Sequence, residues 1–235
     1  MNASSDSPVY AYLKNPSMVD FPGHLAGVFF ISGCNFRCGF CHNAALMGRR
    51  QQGLSWIGLD SVCRKLRENW ADAAVITGGE PTLDERLPDL IRRFRDSGWA
   101  VKMDTNGSKP DVLRACLPLL DYVAMDIKAG ASKYADLTGW IDLATILESI
   151  ALIRTQARDY EFRTTIVEPL HDDEQMREIG EMIGGARRYV IQPFVPREGL
   201  PRAEFETVPR TSPDALERIG RLMQPCAAQV LIRGG

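Results

Sequence analysis

The chain has 235 residues, of which 45% are apolar and 25% charged, with a formal net charge of −2. That length can bury one sizeable core, the interleaved charges exclude an extended nucleic-acid surface, and no apolar run approaches the ~20 residues that span a bilayer. The first eight residues lack the basic-then-apolar pattern of a secretory signal, so a cytoplasmic protein with reduced thiols is expected.

Residues 1–19 are expected to form a lead-in, and 20–235 a single domain. Pro22 and Gly23 mark a turn. The apolar run 26–31 predicts a strand, which empties through Ser32 and Gly33 into Cys34-Asn35-Phe36-Arg37-Cys38-Gly39-Phe40-Cys41-His42-Asn43. Asp60 is expected to cap a helix over 60–70, with Val62, Leu66 and Trp70 on one face. A strand over 73–77 ends in Gly78-Gly79-Glu80-Pro81. Leu87, Leu90, Ile91 and Phe94 give helical periodicity from Asp84 onward, closed by Gly98. A strand over 100–103 ends in Asp104-Thr105-Asn106-Gly107, and a helix over 111–117 stops at Pro118. The strand 122–127 carries Asp126, with Lys128 just beyond. A helix capped by Asp142 follows, then a strand over 161–167 with Arg163 and Thr165. A helix over 172–183, a strand over 189–194 with Gln192, and a helix opening at Ser212 or Asp214 complete the pattern, with a short final strand over 229–232.

Strands alternating with helices of this length predict βαβ units and a parallel sheet, hence an α/β fold. Six units are too few for an ordinary eight-stranded barrel. A partial (β/α)6 barrel and an open doubly wound sheet both fit, since each buries its strands on both faces. In either architecture the site forms at the carboxyl ends of the strands, where the cysteines, glycines and charged residues above all fall.

Three cysteines spaced C-x-x-x-C-x-x-C can converge on one soft metal centre. A closed zinc site needs a fourth ligand, and His42 adjoins Cys41 too closely to complete a good tetrahedron with it. A disulfide suits an oxidising compartment. A redox-active pair, Cys38 and Cys41, leaves Cys34 without a role. A four-iron cluster on three thiolates leaves one iron open to a small ligand. Cys63, Cys116 and Cys226 lie apart, in or beside segments read as helices, and are read as apolar fillers. His24 and His171 have no partner pattern and are read as structural or surface residues, and His42 as exposed.

The cysteine loop, with an aromatic residue before its third cysteine, resembles the cluster loop of the radical S-adenosylmethionine enzymes. The following His42-Asn43 makes it similar to the activating enzymes of glycyl-radical enzymes. The resemblance runs from about residue 20 and thins after Phe194. It implies a partial (β/α)6 barrel of the radical SAM type. It also implies one [4Fe–4S] cluster on Cys34, Cys38 and Cys41, whose open iron takes the amino and carboxylate groups of S-adenosylmethionine. Reductive cleavage of the sulfonium then gives methionine and a 5′-deoxyadenosyl radical. Activases with a ferredoxin-like insert carry further cysteine groups, and this chain has none, so one cluster is expected.

Residue by residue, Gly78-Gly79-Glu80 resembles the motif for the amino group of S-adenosylmethionine. Asp104, Thr105 and Asp126 match positions around a monovalent cation. Arg163 and Thr165 match ribose or carboxylate contacts, and Lys128 is placed to reach an anionic group of the ligand, a solvated surface lysine being the alternative. Asn43 and Gln192 complete the implied cofactor-binding set. The expected substrate is a glycyl-radical enzyme, with anaerobic ribonucleoside-triphosphate reductase preferred and a flavodoxin- or ferredoxin-type protein as reductant. Pyruvate formate-lyase activase and 7-carboxy-7-deazaguanine synthase are the alternative enzymes, although the synthase loop usually ends Cys-Asp-Thr. A cluster-bearing electron carrier or zinc module would call for four or more clustered ligands. The stretch 196–213, with several prolines and mixed charge, is expected to border the opening through which the partner enters.

Overall fold

The computed structural model describes residues 6–48 and 51–234. Its elements are β1 (Val9–Tyr12), β2 (Ala26–Ile31), α1 (Trp56–Glu68), β3 (Ala73–Gly78), α2 (Leu87–Asp96), β4 (Ala100–Thr105), α3 (Pro110–Cys116), β5 (Tyr122–Asp126), α4 (Tyr134–Thr138), α5 (Leu143–Gln156), β6 (Tyr160–Ile166), α6 (Asp173–Ile183), β7 (Ala186–Pro193), α7 (Pro213–Met223) and β8 (Ala227–Ile232). The strands form one sheet in sequential order. β1 is antiparallel to β2, and every pairing from β2 to β8 is parallel.

Sequential order separates the two architectures left open by the sequence. A doubly wound sheet reverses its strand order at a switch point. Here the order never reverses, and β1 does not pair with β8, so the sheet is an open, partial barrel. Six parallel strands, β2 to β7, carry the cavity described below, and β8 adds a seventh.

The alternation along each strand divides the core in two. Phe29, Ile31, Ile76, Val101, Met103, Val123 and Met125 face the helices in one large cluster. Ala26, Val28, Ala73, Val75 and Ala124 face inward with Phe21 and Tyr122. Leu87, Leu90, Ile91 and Phe94 of α2 are fully buried, each side chain contributing about 1.5–3 kcal/mol against exposure. The Phe94 ring lies 4.7 Å from Phe29 and 5.7 Å from Trp99.

Several boundaries differ from the sequence reading for local reasons. α1 starts at Trp56 because the Ser55 hydroxyl accepts from Gly58 N–H at 3.1 Å. Asp60, the expected cap, pairs instead with Arg93. Residues 81–83 form a short 3-10 turn, so α2 begins three residues after Asp84. Asp142, Asp172 and Ser212 cap α5, α6 and α7 through their side chains. β1 and α4 have too few residues to show a periodicity. β1 lies within the stretch read as a lead-in and gains its order by pairing with β2.

Candidate active site

The carboxyl ends of β2 to β7 surround a cavity of about 200 Å³. Cys34, Cys38, Cys41, Asn43, Gly78, Gly79, Glu80, Asp104, Thr105, Asp126, Lys128, Arg163, Thr165 and Gln192 all line it. Cys63, Cys116 and Cys226 do not; Cys116 is buried in the large cluster and the other two pack at its edge. Phe36, Phe40, His42, Met47, Thr77 and Asn106 also line the cavity and were missed as site residues.

The cysteine loop is fastened from several sides. Phe36 N–H donates to Cys34 Sγ at 3.4 Å, and Arg37 N–H to Thr138 O at 2.7 Å. Asn35 Nδ2 donates to Ser108 Oγ at 2.8 Å and Asn106 Nδ2 to Asn35 Oδ1 at 3.0 Å, tying the loop to the end of β4. Asn106 Nδ2 also stands 4.0 Å from Cys34 Sγ. Asn43 Nδ2 donates to Gly78 O at 3.0 Å, joining the loop to the glycine turn. His42 is half-buried rather than exposed, stacking on Phe194 with Nε2 donating to Val195 O at 2.9 Å. Burial, with Arg197 nearby, holds its pKa below the ordinary value.

The stretch expected to border an opening lies against this loop. Arg202 N–H donates to Gly39 O at 3.2 Å, and the buried Phe205 ring sits edge-on to Phe40 at 5.8 Å. It therefore covers one flank of the cysteine loop.

The glycine turn owes its composition to backbone packing. A Cβ on Gly78 would lie 2.2 Å from Ile31 O, and one on Gly79 would lie 2.1 Å from Gly33 O. Gly78 also has φ +131°, a conformation that L side chains rarely adopt. The approach lets Gly79 N–H donate to Ile31 O at 2.9 Å and Glu80 N–H to Gly33 O at 2.8 Å.

Glu80 is 0% exposed and accepts four hydrogen bonds. Oε1 takes Thr82 N–H at 3.1 Å, Thr82 Oγ1 at 2.6 Å and Thr105 Oγ1 at 2.8 Å, and Oε2 takes Asn106 N–H at 2.6 Å. Burial raises its pKa, and the four donors offset only part of that. Glu80 thus stitches the end of β3 to the end of β4.

Opposite the cysteines runs a chain of charges. Lys102 Nζ meets Asp104 Oδ1 at 2.5 Å, Arg163 Nη2 meets Asp104 Oδ2 at 3.0 Å, Arg163 Nε meets Asp126 Oδ1, and Lys128 Nζ meets Asp126 Oδ2 at 2.9 Å. Burial would raise both aspartates, but Arg163 with Lys102 holds Asp104 low, and Arg163 with Lys128 holds Asp126 well below the carboxylate range. Burial works against the charge of Lys128 and Arg163, and their facing aspartates overcome it, raising both. The resemblance pointed to Asp104, Asp126 and Arg163, and the position just beyond the strand to Lys128. Lys102 was missed because a lysine inside a strand carries no motif.

Two histidines are structural. His24 Nδ1 pairs with Asp72 Oδ2 at 2.9 Å beneath the sheet. The buried His171 accepts Val167 N–H on Nδ1 at 3.0 Å and donates from Nε2 to Lys128 O at 3.0 Å, the pattern of a neutral imidazole.

Cys34, Cys38 and Cys41 face one cavity, and thiolates are the ligands of iron–sulfur clusters and other soft metal centres. Among the described residues no group of three or more His, Cys, Asp or Glu side chains is gathered so as to hold one metal ion. Burial pushes the Cys34 thiol up to about 11 and Cys38 to about 12, so a metal centre held there would have to drive their deprotonation.

Fold and site define an α/β partial-barrel enzyme with three thiols facing an anion- and cation-lined cavity. The chain matches the Radical SAM superfamily over residues 28–184 and belongs to it. Members of that family bind a [4Fe–4S] cluster and S-adenosylmethionine. The chain is 31% identical over 225 residues to a protein of Methanocaldococcus jannaschii provisionally named a glycyl-radical enzyme activating enzyme, covering 92% of each. It is 30% identical over 139 residues to the 7-carboxy-7-deazaguanine synthase of Neisseria meningitidis serogroup B, covering 57% of this chain and 60% of that one. Among solved structures, Streptococcus suis SuiB bound to S-adenosylmethionine is similar over 92% of this chain, with TM-score 0.68 at 16% identity. The chain spans about half of SuiB, 51% of its length. Among the described residues no helix is long and apolar enough to cross a membrane.

Proposed function

We propose that this radical SAM enzyme is a glycyl-radical-enzyme activase, and that its substrate is a backbone glycine of anaerobic ribonucleoside-triphosphate reductase. The observation that carries the activase reading is the end-to-end similarity to the M. jannaschii protein, since the synthase similarity covers little more than half of either chain. The choice of the reductase rests on the segment 188–213, which resembles the longer, pyruvate formate-lyase activase-like form of the reductase activases. Pyruvate formate-lyase is the second target.

In this reading Cys34, Cys38 and Cys41 hold the cluster. When bound, the cluster supplies the electron that cleaves the sulfonium of S-adenosylmethionine to methionine and a 5′-deoxyadenosyl radical. The remaining residues bind and orient. Gly78 and Gly79 let the turn pack against the β2 backbone, and Glu80 fixes it against Thr105 and Asn106, which sets the turn's backbone in the cavity for the ligand's amino end. Lys128 and Arg163 supply positive charge for the carboxylate and ribose hydroxyls, and both are held in place by Asp126. Thr165 and Gln192 face the same cavity from β6 and β7. Asn43 couples the glycine turn to the cysteine loop. Phe36 and Phe40 restrict water on the cysteine side. A flavodoxin- or ferredoxin-type protein is the proposed electron source.

Electron paramagnetic resonance on the reduced protein, mixed anaerobically with candidate partners and S-adenosylmethionine, tests the assignment. A glycyl doublet on the reductase, lost when the reductase's C-terminal-region glycine is changed to Ala, supports it. A doublet with pyruvate formate-lyase alone transfers the assignment to that enzyme. Conversion of a free pterin-like molecule with no protein radical rejects the activase reading.

A further inference from the structure

Asp104, Thr105 and Asp126 are the oxygen set at which the resemblance implies a monovalent cation, and the structure does not leave those oxygens open. Asp104 Oδ1 accepts from Lys102 at 2.5 Å and Oδ2 faces Arg163 at 3.0 Å. Asp126 Oδ1 faces Arg163, and Oδ2 faces Lys128 at 2.9 Å. Thr105 Oγ1 donates to Glu80 at 2.8 Å and accepts Gly107 N–H at 3.1 Å. A hard cation needs several oxygen ligands at once. Here it would have to displace two or three cationic side chains from their partners.

Lys102 sets this site apart. It is 1% exposed, on the inner face of β4, one turn of the pleat below Asp104. A buried ammonium is costly unless paired, and its hydrogen-bond partner is Asp104. Glu161, the next carboxylate in the lumen, has its own partners. Arg233 grips both of its oxygens at 2.8 Å, and Tyr122 donates to it at 2.8 Å. Asp104, Asp126 and Glu161 therefore each already have a cationic partner in Lys102, Arg163, Lys128 or Arg233.

We propose that Lys102 stands in for the monovalent cation in this chain, pinning the Asp104 carboxylate so that the site takes no metal cation. Lys102 is a positioning residue, acting on the ligand through Asp104. The proposal rests on the reading of this cavity as the S-adenosylmethionine site.

The test is equilibrium binding of S-adenosylmethionine to the cluster-loaded protein, by anaerobic calorimetry, at one ionic strength in potassium, sodium or choline chloride. The wild-type Kd is expected to agree across the three salts within about twofold, as for a site whose charge is already paired. Lys102→Met keeps the stem but removes the ammonium. Its Kd in choline is expected to weaken by about tenfold or more, with most of the loss recovered in potassium or sodium. Lys102→Arg keeps the charge and is expected to stay insensitive to salt identity. A wild-type Kd that tightens severalfold in potassium or sodium would overturn the proposal, whether or not the variants fold. So would a Lys102→Met Kd weakened equally in all three salts, which marks a merely structural lysine. Absence of wild-type binding in every salt would instead reject the S-adenosylmethionine site, and the proposal with it.

Discussion

Gly79→Ala places a methyl group where the structure has least room. Its Cβ would lie 2.1 Å from Gly33 O, 2.6 Å from Gly33 C and 3.0 Å from Leu46 O. All three are backbone atoms, so no side chain can swing aside. Relieving the contact fully means moving β3's exit from β2's by about 1.4 Å, given ordinary carbon contacts of ~3.5 Å. That movement breaks the Glu80 N–H to Gly33 O bond of 2.8 Å. Overpacking costs about 1–3 kcal/mol, and an unsatisfied buried amide about 1–3 kcal/mol more. A loss of about 4 kcal/mol corresponds to a fall in Tm of about 8–16 °C for a chain of this size. Gly33 adjoins Cys34, so the first thiol moves as well and iron uptake should fall. Thermal unfolding of the cluster-free protein by circular dichroism reads the first effect, and iron per chain after anaerobic reconstitution reads the second. Gly220→Ala is the control. Its Cβ meets only Ile232 Cδ1 at 3.5 Å, within α7, so it should stabilise by about 0.5–1 kcal/mol. A Gly79→Ala protein within about 1 kcal/mol of wild type, with full iron loading, would refute this reasoning.

Replacing Cys34, Cys38 or Cys41 by Ala should drop reconstituted iron far below the about four per chain of a full cluster, while Cys63→Ala, Cys116→Ala and Cys226→Ala load normally; an equal loss from one of the latter would show a different ligand set. Burial holds the His171 pKa below its ordinary 6.5, partly opposed by the Lys128 and Val167 backbone, whose carbonyls favour the protonated ring. Its stabilisation is therefore complete above pH 6.5 and lost as pH falls through the lower folded value. His171→Gln can keep the bond to Lys128 O without titrating, so its urea-unfolding free energy should fall less steeply than wild type between pH 7 and 5. Identical slopes would exclude His171 from the acid response.

Much of the site was legible because it is local in sequence. The cysteine spacing, the glycine turn and the Asp-Thr-Asn-Gly turn each sit within a few residues, at the ends of strands that periodicity marks well. Choosing the partial barrel required the strand order, which no local pattern encodes. Lys102 and Asn106 gain their meaning from residues distant in the chain: Lys102 points inward only because β4 packs between β3 and β5, and Asn106 reaches a loop 71 residues earlier. His42 reads as exposed until the distant Phe194 and Val195 cover it. The glycine turn was legible as glycine-dependent but for a different reason. Sequence suggests room for a ligand, whereas the β2 backbone occupies the space where a Cβ would stand.

The most direct test of the proposed activity follows the hydrogen atom. The reductase is labelled with α-deuterated glycine, mixed with the reduced, cluster-loaded protein and S-adenosylmethionine, and the 5′-deoxyadenosine is examined by mass spectrometry. The expected product carries one deuterium, drawn from the glycine that then shows the radical. Unlabelled 5′-deoxyadenosine formed at the same rate with and without the reductase would contradict the account.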